Sequence, residues 1–312
     1  MIEVEDVVVE RPGLAAPVLD GLSFKLAPGE RAALLGGNGS GKTTLARLLN
    51  GTELPARGRV LVNGQDTRDA GARRGVRQHV GLLFQDPDDQ FVSTTVEREI
   101  AFGPENLCVP VSELRAAVRA ALGEFDLEAY RQAPPHEMSG GEKARVALAC
   151  VWVMRPGVLV LDETDSLLDR RGCERLEAQI AALPAGTTLL RITTDAEVAA
   201  ACPRLLVLHA GRLVADGAPG DVLGNLPEDV VERTGLPLVW RLSARLVASG
   251  RMQRPTSSWT ALLAALGLQG AARGGAEPGS AEPGSPASGG AVPGIAEPGS
   301  PTPGGAAPGG AA

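Results

Sequence analysis

The chain contains little lysine and little positive charge. Only three of its 30 basic residues are lysines, its formal net charge is −7, and its isoelectric point is near 5.2. Negative charge of this size opposes binding to a phosphate backbone or to an anionic lipid surface. We therefore expect no nucleic acid among its partners.

Long apolar runs and a leader segment are also lacking. The longest apolar run, Val146–Met154, ends at Arg155, whereas a helix that spans a bilayer takes about 20 residues. The first residues, Met1–Asp6, contain neither a basic segment nor an apolar one, so no signal peptide is predicted. A role at the membrane would then require a separate subunit.

Cysteine pairs are missing as well. None of the cysteines belongs to a CxxC pair, and they stand far apart at Cys108, Cys150, Cys173 and Cys202. This spacing predicts neither a zinc knuckle nor a redox motif. We expect reduced, packed thiols in a cytosolic protein.

The end of the chain lacks the apolar side chains that a core requires. Gly270–Ala312 contains 13 Gly, 8 Pro and 11 Ala, and Glu-Pro-Gly-Ser recurs at Glu277, Glu282 and Glu297. Such a segment cannot bury enough surface to offset its chain entropy. We predict a disordered tail over residues 270–312.

The rest of the chain alternates between strand-like and helix-like segments. Alternating residues at Ile2–Val9 and a short strand at Leu22–Leu26 predict an antiparallel β-layer. Apolar runs separated by helix-length segments then predict a parallel sheet with crossover helices. These runs are Arg31–Leu35, Val80–Phe84, Val158–Leu161, Thr188–Ile192 and Leu205–Leu208.

Mainly helical patterns fill the stretch between residues 86 and 153. They cover Val96–Phe102, Ser112–Phe125 with Ser112 as the N-cap, and Glu142–Val153. We interpret this stretch as an α-helical subdomain inserted into the core. The predicted fold class is α/β, with a parallel sheet, an N-terminal antiparallel β-layer and this inserted subdomain.

A glycine-rich segment follows the apolar run Arg31–Leu35 and precedes the next helix. It matches the pattern G-x-x-x-x-G-K-[ST]. Its glycines let the backbone wrap around phosphates, and the loop amides and the helix N-terminus supply positive potential. Lys42 is expected to reach the β- and γ-phosphates, and the Thr43 hydroxyl to bind Mg²⁺. The predicted ATP-binding residues of this P-loop NTPase (RecA-like) core are Gly36, Gly37, Asn38, Gly39, Ser40, Gly41, Lys42, Thr43 and Thr44.

Two carboxylates follow the apolar run Val158–Leu161. Asp162 is predicted to hold Mg²⁺ through water, and Glu163 to orient or deprotonate the attacking water. Acidic pairs after strands also occur on solvated loops. The phosphate loop in the same chain favours the catalytic interpretation.

The segment Met138–Glu142 precedes a helix upstream of these carboxylates. Here the chain resembles the ABC transporter ATPases, whose signature is usually Leu-Ser-Gly-Gly-Gln. A glycine-rich turn at a helix N-terminus is an anion site. The resemblance implies that the γ-phosphate of ATP held by the opposite subunit contacts Ser139, Gly140, Gly141 and Glu142.

Two further segments, Val80–Gln90 and Ala101–Leu107, resemble the ATPases of energy-coupling-factor importers, which take up vitamins and nickel or cobalt ions. The likeness extends over about residues 2–267. It implies that Gln85 is the Q-loop glutamine, which touches Mg²⁺ and the γ-phosphate and links the core to the helical subdomain. Residues 86–90 would border the groove that receives a helix of the membrane subunit, with a solvated turn around Pro87 as the alternative.

Departures from the family pattern concern the groups around the γ-phosphate. Ser166–Asp169 stands where the family has its D-loop, and Thr164 stands where proline is common. Thr194 replaces the switch histidine, and threonine offers one hydroxyl donor and no cation. We therefore expect slow hydrolysis at this site, and hypothesise an unequal pair in which the partner's site is faster. Arg11 or Pro12 stands where the family has an aromatic ring on adenine, and a guanidinium can also stack on a base.

The resemblance also implies how the chain is assembled. Each catalytic site takes its phosphate loop from one subunit and its signature from another, so the chain would pair with an identical or different ATPase subunit. It would bind ATP and Mg²⁺ and act, as a peripheral protein on the cytoplasmic face of the cell membrane, on a transmembrane coupling subunit and a substrate-binding membrane protein.

Two ordered regions follow from the same likeness. Residues 1–234 would form the ATPase domain, with the helical subdomain at about 86–153, and residues 235–269 a small C-terminal helical extension. In the family this extension helps the two ATPases stay together, but an ordinary helical cap on the core fits its helical periodicity equally well.

Other classes of ABC protein remain open as alternatives. The three core motifs do not separate this importer group from importers of amino acids or inorganic ions. ABC ATPases that act on DNA or ribosomes need long coiled coils or two ATPase units per chain, and the sequence shows neither. An ATP-binding clamp without hydrolysis is opposed by Glu163 and left open by Thr194.

Overall fold

The computed structural model describes residues 1–164, 168–234, 236–253, 256 and 258–268, which lie in one compact unit, Met1–Gln269. The predicted tail at 270–312 and residues 165–167, at the start of the predicted D-loop segment, lie outside the described residues. Within the described part, the strands are β1 (Ile2–Val9), β2 (Leu19–Leu26), β3 (Arg31–Leu35), β4 (Arg57–Val62), β5 (Gln65–Asp66), β6 (Val80–Leu83), β7 (Val158–Asp162), β8 (Thr188–Thr193), β9 (Arg204–His209) and β10 (Arg212–Gly217).

The same residues also form α-helices. None of the helices described is both long and apolar enough to cross a membrane. They are α1 (Lys42–Leu49), α2 (Arg73–His79), α3 (Val96–Asn106), α4 (Val111–Glu124), α5 (Gly140–Trp152), α6 (Arg170–Ala182), α7 (Ala196–Ala200), α8 (Pro219–Gly224), α9 (Glu228–Thr234), α10 (Leu238–Ala248) and α11 (Trp259–Ala265). Of these, α3 to α5 lie between β6 and β7, and α8 to α11 follow β10. Single 3₁₀ turns occur at Pro87–Asp89, Glu128–Tyr130 and Pro135–Glu137.

The larger sheet has the strand order β10-β9-β3-β8-β7-β6. Its neighbours run parallel except β10, which pairs antiparallel with β9. The inner strands are buried along almost their whole length, as expected where helices cover both faces of a parallel sheet. The five predicted parallel strands are confirmed. The sequence pattern does not predict β10, because its residues alternate between exposed and half-buried positions and form no apolar run.

The smaller sheet is the predicted antiparallel β-layer, with the order β2-β1-β4-β5. β1 has the predicted bounds, whereas β2 begins at Leu19 instead of Leu22. The sequence pattern does not predict β4, in which only Val60 and Val62 are buried. One apolar cluster joins this layer to α1 and to one face of the larger sheet, and includes Ile2 and Leu45.

The predicted helical insert is confirmed between β6 and β7. Its helices α3, α4 and α5 share a buried cluster with the opposite face of the larger sheet, to which Ile100, Leu122 and Val146 contribute. The prediction that Ser112 caps α4 is wrong. The N-cap is Pro110, whose fixed φ of −55° leads directly into the helix, so Ser112 already lies in the first turn.

The C-terminal helices pack on the part of the larger sheet that contains β3 and β9. Leu35 and Val207 of those strands share a buried cluster with Val230, Trp240 and Leu262. The segment therefore covers the core as a helical cap would. A dimer contact through it, and a domain boundary near residue 234, stay predictions.

Candidate functional site

The glycine-rich loop joins the buried end of β3 to the first residue of α1. Because α1 begins at Lys42 itself, the loop lies at a helix N-terminus whose free amides are an anion-binding feature. Lys42 is only 5% exposed, and its ammonium donates to the carbonyl oxygens of Gly36 at 3.0 Å and Gly37 at 3.1 Å. The loop therefore surrounds a buried positive charge.

Gly41 is the residue that lets this loop enter the helix. Its φ is 105°, in the left-handed region, and a Cβ at this position would lie 2.7 Å from Leu19 Cδ2 and 2.9 Å from the carbonyl oxygen of Val18. An L side chain would be strained by the backbone and would collide with the start of β2. Glycine is thus required at position 41 both by the left-handed backbone conformation and by the close approach of β2.

Asp162 ends β7 and is 1% exposed. Within the described part of the chain, neither carboxylate oxygen has a hydrogen bond of good geometry. Burial raises the pKa of Asp162, and the nearby Thr43 hydroxyl opposes the rise. A buried carboxylate is costly unless a cation or donors neutralise it. Asp162 and Thr43 together offer the oxygen ligands that Mg²⁺ takes.

Glu163 turns toward the phosphate loop through an unusual backbone conformation. Its φ is 53°, and its amide donates to the carbonyl oxygen of Ile192 at 2.9 Å. Left-handed conformations of non-glycine residues are costly and cluster at functional sites. Glu163 Oε1 lies 3.1 Å from Lys42 Nζ, and Glu163 Oε2 accepts a hydrogen bond from Gln85 Nε2 at 3.2 Å. Lys42, Glu163 and Gln85 therefore meet at one point.

Gln85 follows β6 and lies on a cleft of about 460 Å³, which is lined by Thr43, Arg47, Phe84, Gln85, Asp86 and Asp89. The Asp86 side chain caps the turn Pro87–Asp89 by accepting from the Asp88 amide at 3.0 Å. A turn around Pro87 is present, and a groove at residues 86–90 for a helix of a membrane subunit stays a prediction. The turn shares this cleft with Thr43, beside the phosphate loop.

Thr194 lies one residue beyond β8, which runs between β3 and β7. Leu35 of β3 pairs in register with Thr193 of β8, and Asp162 of β7 pairs with Ile192 of β8. The parallel register therefore places Thr194 at the edge of the sheet where the phosphate loop and the carboxylates begin. Thr194 is exposed, and Asp195 after it caps α7 by accepting from the Glu197 amide at 2.7 Å.

Ser139 caps α5 through contacts with Glu142. The Ser139 amide donates to Glu142 Oε2 at 2.8 Å, and the Ser139 hydroxyl donates to the same oxygen at 2.6 Å. The Ser139 hydroxyl, followed by the Tyr130 hydroxyl and the Ser139 amide, lowers the pKa of Glu142 to about 2. An ionised Glu142 thus holds the start of the helix, as in a capping box.

A second cleft, of about 440 Å³, lies beside Ser139. Its described lining residues include none from the phosphate loop; they are Ser139, Gly141, Glu142, Arg145, Leu168, Asp169, Arg171, Gly172 and Arg175. Asp169 caps α6 by accepting from the Gly172 amide at 2.7 Å. The structure brings Ser139 and Asp169 together at this cleft, whereas Lys42 and Glu163 contact each other and are not among its lining residues.

Arg11 forms an ion pair that the sequence pattern does not predict. An Arg11 guanidinium nitrogen lies 2.8 Å from Glu53 Oε1, just beyond the end of α1. An edge contact of this kind leaves the planar face of a guanidinium able to stack. The contact of Arg11 with adenine stays a prediction.

Two charged residues that join different structural elements are not predicted by the motifs. Lys143, in the first turn of α5, lies 2.6 Å from Asp88 Oδ2. Because the sequence has only three lysines, Lys143 could have been singled out from the sequence. Arg191 is buried in β8 and lies 2.5 Å from Glu177 of α6. Arg191 could have been singled out from the sequence because it is a charged residue between apolar residues of a predicted strand.

Comparisons with known proteins agree with this geometry. A family model described as ABC transporter matches residues 19–166. The energy-coupling factor transporter ATP-binding protein EcfA1 of Symbiobacterium thermophilum is 42% identical over 241 residues, which cover 76% of this chain and 84% of that protein. The energy-coupling factor transporter ATP-binding protein EcfA of Methanosarcina acetivorans is 41% identical over 227 residues, covering 72% and 82%.

A solved structure extends the comparison to the fold. It is cbiO1 from Clostridium perfringens, part of the ABC transporter complex cbiONQ. It superposes with a TM-score of 0.61 at 32% identity, covering 79% of this chain and 98% of that one. The chain described here belongs to the ATP-binding subunits of ABC transporters, in the group of the energy-coupling factor transporter ATP-binding proteins.

Proposed function

We propose that this chain binds and hydrolyses ATP to power an energy-coupling-factor importer, from the cytoplasmic face of the membrane and through a separate transmembrane subunit. The observation that carries the proposal is the meeting of Lys42, Glu163 and Gln85, which come from the ends of three different structural elements. A cation, a carboxylate and an amide at one helix N-terminus are the groups that phosphoryl transfer to water requires.

Mg²⁺ fits the oxygen atoms available here. Thr43, Asp162 and Gln85 would hold it, and the buried Asp162 carboxylate is the strongest reason, because it lacks well-formed hydrogen bonds among the described residues. When bound, Mg²⁺ would neutralise charge that develops on the phosphate oxygens. A cation beside Asp162 would also keep that carboxylate ionised despite its burial.

Different side chains of the site have different roles in ATP hydrolysis. Lys42 neutralises the β- and γ-phosphates, and the phosphate-loop amides hold them in place. Glu163 accepts a proton from the attacking water, in a position set by its amide contact with Ile192. Thr194 donates one neutral hydrogen bond toward the γ-phosphate, which stabilises the developing charge less than an imidazolium would.

A second ATPase subunit completes each site in this proposal. The cleft beside Ser139 and the one beside Gln85 have different lining residues, so one chain supplies two half-sites that face two nucleotides. ATP would bridge the phosphate loop of one subunit and residues 139–142 of the other. Thr194 favours a pair of unequal chains, in which this chain is the slower or hydrolysis-impaired partner.

Contact with the membrane complex would lie at the acidic turn. Asp86 and Asp89 line the same cleft as Gln85, so a helix docked there would sense the state of the nucleotide site. The expected partners are the transmembrane coupling subunit and, through it, a substrate-binding membrane protein. The alternative is the same role in another class of ABC importer.

Two lysine variants test the proposal as a matched pair. Lys42→Met removes the buried cation, whereas Lys25→Met removes an exposed lysine that pairs with Glu3. Isothermal calorimetry should show ATP affinity lowered at least about tenfold by the first change, because a phosphate then loses a charged partner. Light scattering should show that ATP no longer induces pairing. Lys25→Met should change neither property, and native ATP affinity in Lys42→Met would overturn the proposal.

A further inference from the structure

Three oxygen atoms of the described residues lie close to the ammonium of Lys42. A lysine ammonium carries three donors. Lys42 Nζ lies 3.0 Å from the carbonyl oxygen of Gly36, 3.1 Å from that of Gly37 and 3.1 Å from Glu163 Oε1. Two of these contacts are hydrogen bonds and the third is an ion pair, so a phosphate oxygen that approaches this ammonium competes with the oxygens already around it.

Glu163 is the acceptor that can leave. Gly36 and Gly37 present backbone carbonyls of the loop itself, whereas Glu163 presents a side chain whose backbone is held separately by the Ile192 carbonyl oxygen. The Glu163 carboxylate also carries negative charge, so an incoming phosphate repels it but not the neutral carbonyls. Rotation about the side-chain bonds of Glu163 removes it without moving the loop.

We propose that Glu163 serves as the counterion of Lys42 and competes with the nucleotide phosphate for its ammonium. Arrival of the phosphate then releases the carboxylate toward the position of the attacking water. Gln85 donates to the other carboxylate oxygen and is released in the same step. The site would thus withhold its base until a phosphate is in place. This inference rests on the nucleotide site proposed above.

ADP in EDTA tests the competition without hydrolysis and without metal. Calorimetry would compare Glu163→Gln with the native chain, and the same substitution in a Lys42→Met background. Competition predicts that Glu163→Gln lowers the Kd for ADP about tenfold in the native background, and less than about twofold when Lys42 is absent. Glu113→Gln, at an exposed position of α4, controls for the change in net charge.

The outcomes separate this inference from the nucleotide site itself. Equal strengthening in both backgrounds would mean simple repulsion between Glu163 and phosphate, and would overturn the inference. No strengthening in the native background would overturn it too. If Lys42→Met alone left ADP affinity unchanged, the proposed nucleotide site would fail instead.

The scarcity of lysine gives a second measurement that needs no binding curve. With lysine labelled isotopically, the full chain yields only the signals of Lys25, Lys42 and Lys143. In protein without added nucleotide, Glu163→Gln should shift the side-chain signal of Lys42 and leave the other two in place. Addition of ADP to the native chain should shift the same signal. A Lys42 signal that is identical in the native and Glu163→Gln chains would overturn the inference.

Discussion

The Lys143 ammonium donates to Asp88 Oδ2 across 2.6 Å, and this contact joins the acidic turn after β6 to the first turn of α5. Ser139 and Glu142 begin the same helix. The turn proposed to face the membrane subunit is thereby connected to the residues proposed to face the partner's nucleotide. We predict that a displacement of the turn affects the position of residues 139–142.

We expect the Asp88–Lys143 pair to contribute little to stability. Asp88 is about half exposed, and exposed ion pairs typically contribute roughly 0–1 kcal/mol. A double-mutant cycle in urea with Asp88→Asn and Lys143→Met should give a coupling energy below about 1 kcal/mol. ATP-induced pairing should weaken with Lys143→Asp or Asp88→Lys and recover when the two are combined. Coupling of several kcal/mol, or no recovery in the combined variant, would contradict this expectation.

Thr194→His should speed ATP hydrolysis by the purified chain. An imidazole adds the donor that threonine provides only weakly, and loss of one such donor costs about 10²–10³ in rate in other enzymes. An increase of at least about tenfold in kcat is expected. Thr194→Val, which keeps the shape and removes the hydroxyl, should lower kcat. A normal rate in the native chain that neither change alters would refute the hypothesis of a slow site.

We expect ionisation of Glu142 to make the stability of the fold depend on pH. Its pKa of about 2 in the folded chain lies below the ordinary value of 4.5, so the carboxylate stabilises the fold above about pH 4.5 and loses this effect as the pH falls toward 2. Unfolding midpoints of the native chain and Glu142→Gln should therefore converge over that range. The effect should shrink in high salt, because Glu142 is only half-buried. Glu113→Gln serves as the control, and parallel curves for Glu142→Gln would contradict the assignment.

Two glycines of the phosphate loop should respond differently to alanine. A Cβ at Gly41 would lie 2.7 Å from Leu19, whereas a Cβ at Gly39 would meet nothing within 4 Å. Both have positive φ, so Gly39→Ala should cost about 1–2 kcal/mol through backbone strain alone. Gly41→Ala should cost more and should also abolish ATP binding. Equal losses in urea unfolding would be inconsistent with this packing.

Two inactive variants should restore each other if the chain pairs with itself. Lys42→Met disables the phosphate loop, and Ser139→Asp places a negative charge where the partner's phosphate is expected. A mixed dimer keeps one site with both native groups, so hydrolysis should return on mixing. Each variant alone is the control. Mixed dimers that form but do not hydrolyse ATP would speak against sites shared between identical chains.

The sequence by itself determined the features that are local. The phosphate loop, the strand before it and the helix after it are encoded by adjacent residues, because glycine spacing and apolar runs act over a few positions. The buried strand β7 with Asp162 at its end, and Ser139 at the start of α5, are predictable for the same reason. Edge strands such as β10 are not predicted because their solvent-exposed positions do not need apolar side chains, so no apolar run forms.

The tertiary structure alone decided which of these local features touch. Lys42 meets Glu163, Lys143 meets Asp88, and Arg11 meets Glu53, although nothing in the spacing of those residues encodes a contact. Such contacts depend on strand order and register, which arise when distant segments bury a common core. The left-handed φ of Glu163 belongs here too, because only the surrounding packing stabilises a conformation that the isolated residue avoids.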